Sequence, residues 1–229
     1  MVLCDSYNDS IKRVDLKSCL LDSTVRLSSS PWEVCAIPGE QVVITLPHKG
    51  RLQLVSTHGH LKLTKRLKTK DGCRGICYCQ DKLIVSFDDG TVQIMDIKGN
   101  VTREMKNDLS LFQSPWHIKV NDRDPILYIS DNDTDTITKM DLELNVVAKI
   151  KNTALIEQPL SMCPLDENHL LVVVDGSYTV ILLNTETQKI SVLLDEEQGI
   201  RCPHCVCYSP ETKQIFVTCL GNAVSVFGV

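Results

Sequence analysis

Residues 116–150 contain Trp116-His117-Ile118-Lys119, Ile126-Leu127-Tyr128-Ile129-Ser130-Asp131, Thr136-Ile137-Thr138-Lys139-Met140-Asp141 and Val146-Val147-Ala148-Lys149-Ile150. Four short apolar runs separated by polar turns predict four consecutive β-strands. The second run is continuous and β-branched, as a strand buried on both faces requires. The third alternates, which marks a strand with two different faces. The fourth is more polar, as suits an outer strand with one wet face, and its Lys discourages edge-to-edge pairing.

The same unit recurs on both sides of this stretch. The apolar anchors Val34, Ile76, Ile118, Met162 and Val206 stand 42 to 44 residues apart, a spacing characteristic of propeller blades. Each is followed by a second run (Val42–Thr45, Leu83–Ser86, Ile126–Ser130, Leu170–Val174, Ile215–Thr218) and a third (Arg51–Val55, Thr91–Asp96, Thr136–Asp141, Thr179–Asn184, Ala223–Phe227). Hairpin signals at Lys49-Gly50, Asp88-Asp89-Gly90 and Asp175-Gly176 join these runs, with Gly59 and Gly99 placed before the fourth. Helical periodicity is absent. Repeated four-strand units without crossover helices select an all-β, six-bladed β-propeller over a sandwich or an α/β fold. The blade segments are approximately 1–27, 28–70, 71–107, 108–152, 153–197 and 198–229, together one domain.

The first segment begins at a second-type strand, Val2-Leu3-Cys4-Asp5, and the last ends after its third, so each lacks one strand of the repeat. In a closed ring the missing strands are consecutive. The expectation is a piece of a longer polypeptide, in which an upstream segment of roughly 20 residues supplies both.

The chain of 229 residues is long enough to bury a substantial core as a single domain. Its formal net charge of -5 argues against a protein that coats nucleic acid. No run approaches the roughly 20 apolar residues of a membrane span, and the N-terminus turns polar too early for a signal peptide. Eleven cysteines, an odd number, fit reduced thiols in the cytoplasm better than a closed disulfide framework.

Ser30-Pro31-Trp32 and Ser114-Pro115-Trp116, which open blades, together with Leu127-Tyr128-Ile129-Ser130-Asp131 and the Thr136–Asp141 run, resemble the NHL-repeat propellers at the C-terminus of tripartite-motif (RING and B-box) proteins of the invertebrate type. The second and third blades depart from the family pattern, with Thr45-Leu46-Pro47 and Ser86-Phe87-Asp88 in place of its Asp. The resemblance implies a module that recruits proteins, or in some members RNA, for a ubiquitin-ligase region upstream. The residues here contain no RING or B-box zinc spacing, so no ligase step is assigned to them.

Several constellations have two readings. Cys202-Pro203-His204-Cys205-Val206-Cys207, with Cys73, Cys77 and Cys79, has the makings of a zinc site. However, Cys35, Cys77, Cys163 and Cys207 fill one slot just after the anchor, Lys119 being the exception, and a small apolar thiol suits that slot. Asp131-Asn132-Asp133-Thr134-Asp135 begins like a calcium loop but has Thr136 where Gly is required and Leu142 where the bidentate Glu belongs. It is expected to be a solvated hairpin. His58-Gly59-His60 reads as a turn, and Glu33 is the only acid beside an anchor, which leaves a metal-dependent propeller hydrolase or lyase as a lesser alternative. No metal, cofactor or catalytic constellation is assigned.

The expected function is a macromolecular binding platform. The loops between second and third strands carry Asp5, Asp9, Asp88, Asp89, Asp131, Asp133, Asp135 and Asp175, an acidic display that would attract a basic protein surface. Tyr7, His48 and Tyr178 in the same loops supply anchors. The competing explanation is that Asp is simply good turn chemistry. The alternative partner is RNA, tracked by Lys62, Lys65, Arg66, Lys68, Lys70 and Arg74, with Tyr78 the one aromatic nearby.

Overall fold

The computed structural model describes residues 1–107, 110–121, 125–152, 154–220 and 223–228; the expected segment limits at 108, 153 and 229 lie outside them. The chain divides into two compact units, Met1–Leu109 and Ser110–Val229, each with three antiparallel sheets whose strands follow in chain order.

In the first unit, blade 1 is β1 (Val2–Asp5), β2 (Ser10–Asp15) and β3 (Leu20–Arg26). Blade 2 is β4 (Val34–Ile37), β5 (Gln41–Leu46), β6 (Arg51–Ser56) and β7 (Lys62–Lys68), and blade 3 is β8 (Cys73–Cys79), β9 (Lys82–Phe87), β10 (Val92–Asp96) and β11 (Val101–Met105). In the second unit, blade 4 is β12 (Pro115–Asn121), β13 (Ile126–Asp131), β14 (Thr136–Met140) and β15 (Val146–Lys151). Blade 5 is β16 (Pro159–Pro164), β17 (His169–Val174), β18 (Thr179–Asn184) and β19 (Ile190–Leu194), and blade 6 is β20 (Pro203–Ser209), β21 (Gln214–Cys219) and β22 (Ala223–Gly228). The fold class is the all-β, six-bladed β-propeller, with three-stranded first and last blades. No helix among the described residues is long and apolar enough to cross a membrane.

Burial follows the sequence pattern. The second strands β5, β9, β13 and β17 each bury five successive residues after a half-buried first one. Such a strand sits inside a sheet that is covered on both faces, so alternation has no role in it. The outer strands β7, β11 and β15 keep mostly exposed residues. The apolar cores lie between blades: Ile11 of blade 1 meets Val42, Ile44 and Leu46 of blade 2, and Val43 and Leu52 of blade 2 meet Ile76, Val85 and Phe87 of blade 3. In the second unit Ile137 and Ile150 pack on Met162 and Val172, and Leu171 and Val173 on Val206 and Val217.

Hydrogen bonds between backbone groups and side chains also cross these seams. The pairing of β8, β16 and β20 with their second strands shifts register just before or at the anchor, which takes an amide out of the ladder. The preceding blade accepts it: Ile76 N–H donates to Glu33 Oε2 at 2.9 Å, Met162 N–H to His117 Nδ1 at 3.1 Å and Val206 N–H to Ser161 Oγ at 3.3 Å. Glu33, His117 and Ser161 each stand one residue before their own anchor. A second set runs the other way, with Thr45 Oγ1 donating to the Arg74 carbonyl at 2.8 Å and Ser130 Oγ to the Leu160 carbonyl at 2.8 Å.

The turns between third and fourth strands repeat as well. Asp15, Asp96 and Asn184 accept from amides two to four residues on, and Asp141 accepts from the amide and side chain of Asn145. This is the local side-chain turn that favours Asp and Asn. Gly99 closes one such turn at φ 95. At Asp175-Gly176 the left-handed residue is Tyr178, φ 54. Gly176 is needed for space, since a Cβ there would lie 2.6 Å from the Glu157 side chain.

Two outcomes are expected. Ser130→Ala orphans a buried carbonyl at the seam between blades 4 and 5, so the unfolding free energy should fall by about 1–3 kcal/mol in a urea titration. Asp96, whose carboxyl is held down to about 2 by the Asn100 amide and side chain, stabilises the fold fully above the ordinary value of 3.8 and loses that contribution as pH falls through its folded value. Asp96→Asn should therefore flatten the acid limb of a stability profile between those pH values.

Candidate functional site

In the first unit the 2–3 loops and the connections between blades meet. Gly72 N–H donates to the Pro47 carbonyl at 3.0 Å and Asp88 N–H to the Gly72 carbonyl at 2.9 Å, so the loop of blade 2, the start of β8 and the loop of blade 3 form one surface. A cleft of about 320 Å³ opens there, lined by Trp32, Pro47, His48, Asp71, Gly72, Arg74 and Asp88.

The repeat explains its composition. Trp32 and Arg74 each stand two residues before an anchor, in blades 2 and 3, and the bond from Ile76 N–H to Glu33 fixes the register that brings them together. The Arg74 guanidinium lies 4.5 Å from the Trp32 ring centroid, a cation–π stack that makes a stiff wall. His48 is exposed on the short helical turn Pro47–Lys49, which Gly50 ends at φ 51. Asp71 and Asp88 are exposed at the rim. Asp88 lies over Gly72, where a Cβ would be 2.0 Å from a carboxylate oxygen.

The acidic loops divide into framework and surface. Asp131 is fully buried: its carboxylate accepts from the Gln113 and Ser114 amides at 2.6 and 3.1 Å and from those of Asp133 and Thr134 at 3.2 and 3.0 Å. This corrects its reading as a partner-binding residue, because four backbone amides consume its lone pairs. Asp5, its counterpart in blade 1, pairs with Lys12 at 2.6 Å and accepts from Asn8; burial raises its carboxyl pKa, but these bonds outweigh that and hold it below the ordinary value. Asp89 meets Lys70 Nζ at 2.5 Å. Asp135 accepts from the Gln158 amide at 2.8 Å. Tyr7, Asp9 and Asp88 in the first unit, and Asp133 and Tyr178 in the second, remain exposed, Tyr7 at 86% and Tyr178 at 52%. Asp9, Asp135 and Tyr178 share one left-handed slot at the ends of equivalent loops, φ 46, 56 and 54, easy for Asp and unusual for Tyr.

The basic group also separates. Lys62, Lys65, Arg66 and Lys68 are exposed along β7. Lys70 turns inward onto Asp89, Thr91 and the Phe87 ring, 4.6 Å to the centroid, and Arg74 belongs to the cleft. Both leave the phosphate-tracking set because their charge is already engaged. Tyr78 lies on β8, three strands from β7 across the adjacent blade, and donates to Asp81 at 2.7 Å.

Cys73, Cys77 and Cys79 lie on buried positions of β8 in the first unit, whereas His204, Cys205 and Cys207 are exposed on β20 in the second. The slot after the anchor is therefore not uniformly apolar packing, since Cys77 is buried, Cys35 and Cys163 are half-buried and Cys207 is exposed. No group of three or more His, Cys, Asp or Glu among the described residues could hold a metal ion. His58 pairs with Glu40 at 2.6 Å in an exposed turn. A second cleft, in blades 4 and 5, has Lys139 bonded to Glu186 at 2.7 Å beside Asn121, Tyr128 and Asn168. That bond holds the Glu186 carboxyl below its ordinary value.

No protein-family model matches the chain, and no curated protein matches it in sequence. Solved structures do. A streptogramin B lyase matches with TM-score 0.71 and 13% identity, over 100% of this chain and 78% of that one. Virginiamycin B lyase from Staphylococcus aureus gives 0.69 and 13%, over 100% and 80%, and Kuenenia stuttgartiensis hydrazine synthase 0.70 and 13%, over 100% and 92%. At such identity the likeness is one of fold.

Asp131→Ala is expected to lower stability by about 1–3 kcal/mol or more through orphaned amides, whereas Asp88→Asn should stay within about 0.5 kcal/mol. Chemical denaturation of the two variants side by side checks the division into framework and surface.

Proposed function

We propose that the chain is a macromolecular binding platform that recruits a protein partner through the loops of its first unit, with the Trp32 cleft receiving a basic side chain. The observation that carries this reading is the pairing of an aromatic wall, stiffened by Arg74, with two exposed carboxylates, Asp71 and Asp88, at one mouth. Rigid aromatic walls lower the ordering cost of binding, and the two rim carboxylates exceed the single charge of Arg74, which already covers one face of the ring, so they favour a Lys or Arg at the mouth. Tyr7 and Asp9, exposed in the equivalent loop of blade 1, extend the same acidic and aromatic character.

The Ser-Pro-Trp blade openings, which resemble those of NHL propellers, take the reading one step further, to the recruiting module of a tripartite-motif-like ubiquitin ligase or scaffold in the cytoplasm. On that reading the blades hold the substrate protein and catalyse nothing themselves. A second reading, RNA binding, is favoured by one observation: four cations, Lys62, Lys65, Arg66 and Lys68, stand exposed on a single outer strand.

Affinity capture from cell extract, with and without ribonuclease, followed by mass spectrometry of bound species, separates the two. A protein set that survives ribonuclease and binds about tenfold or more weakly to Asp71→Asn/Asp88→Asn, equivalent to about 1.4 kcal/mol, is the expected result. Retention indifferent to that pair overturns the cleft. RNA recovered by the native chain and lost with Lys65→Glu/Arg66→Glu makes the outer strand the binding surface instead.

A further inference from the structure

The slot after the anchor holds Lys119, Cys163 and Cys207 in blades 4, 5 and 6. The seam between blades 5 and 6 fixes how the last two meet. Val206 N–H donates to Ser161 Oγ, Ser161 Oγ donates to Cys205 Sγ, and Tyr208 N–H donates to Cys163 Sγ, each at 3.3 Å. These bonds lock β16 and β20 side by side in register and set the Cys163 sulfur against the amide that follows Cys207, while the Cys163 thiol itself donates to the Pro164 carbonyl at 3.6 Å. Cys207 is exposed and Cys163 half-buried behind it. The pair sits in the second unit and has no part in the cleft described above.

We propose that Cys163 and Cys207 form a peroxide-responsive dithiol, with Cys207 the attacking thiolate and Cys163 the resolving thiol, which closes a disulfide between the first strands of blades 5 and 6. The electrostatics agree with the division of roles. The neighbouring Cys163 thiol lowers the Cys207 thiol, against desolvation and with help from the Lys119 ammonium. The Cys207 sulfur nearby, together with burial, pushes Cys163 up. A thiolate that is accessible and paired with a second sulfur is the arrangement of redox-sensitive cysteines.

The steps balance with hydrogen peroxide as the oxidant. The Cys207 thiolate attacks one peroxide oxygen; the S–O bond forms, the O–O bond breaks, and hydroxide leaves and is protonated to water. Cys163 sulfur then attacks the Cys207 sulfenic sulfur. The S–S bond forms, the S–O bond breaks, and the thiol proton of Cys163 leaves with the departing hydroxide as a second water. Two thiols are oxidised by two electrons and one peroxide is reduced.

The test treats the reduced full chain with stoichiometric hydrogen peroxide, alkylates the remaining thiols, and maps peptides by mass spectrometry. The expected first product is a Cys163–Cys207 disulfide within one chain. In Cys163→Ser, dimedone should trap a sulfenic acid at Cys207, and in Cys207→Ser, Cys163 should stay reduced. Lys119→Gln, remote from both sulfurs in sequence, should slow formation several-fold while leaving the fold intact by circular dichroism. Oxidation of Cys207 no faster than that of the exposed Cys19, or a Cys205–Cys207 or intermolecular disulfide forming first, overturns the proposal.

Discussion

A register shift near the anchors of β8, β16 and β20 leaves a backbone amide that its own sheet does not satisfy, and a buried amide without a partner costs more than most single contacts contribute. In blades 3, 5 and 6 that amide reaches the preceding blade, to Glu33, His117 and Ser161 in turn. The apolar cores between the same sheets supply most of the burial, but apolar packing alone tolerates sliding. The directional bond removes that freedom. Every juxtaposition at the blade seams, whether Trp32 on Arg74 or Cys163 beside Cys207, inherits its register from it.

The repeat and its strands were legible because periodicity reports burial, and the doubly covered second strands wrote continuous apolar runs. Side-chain direction was less legible. Glu33 and His117 read as isolated polar residues in separate blades, although both stand one place before an anchor, and that shared offset was the available signal of a common role. Asp5 and Asp131 end second strands, and sequence position alone groups them with the loop acids. Their burial comes from amides that fold back over them, which composition does not report. Proximity in sequence groups Arg74 and Lys70 with the basic strand, whereas the chain turns between Lys68 and Cys73 and carries both away from β7.

The candidate site arises where equivalent slots depart from one another. Two residues before the anchor, the first unit has Trp32 and Arg74, and the second has Trp116, Leu160 and His204. In the slot after it, the first has Cys35 and Cys77, and the second has Lys119, Cys163 and Cys207. Neighbouring blades thus place unlike groups side by side at equivalent positions of the repeat. Chemistry is varied in the slots on either side of the one position, held by Glu33, His117 and Ser161, whose side chain accepts the seam amide.

The seam bonds connect residues 43 and 45 positions apart, which is close to one repeat. A change in length by a whole repeat would therefore keep donors in step with the position before the anchor wherever that position carries a side-chain acceptor, whereas loss of a few residues between two anchors would put a buried amide out of step with its acceptor. For a chain built this way, the tolerated change in length comes in whole blades, and variation within a blade is confined to substitution and to the exposed turns.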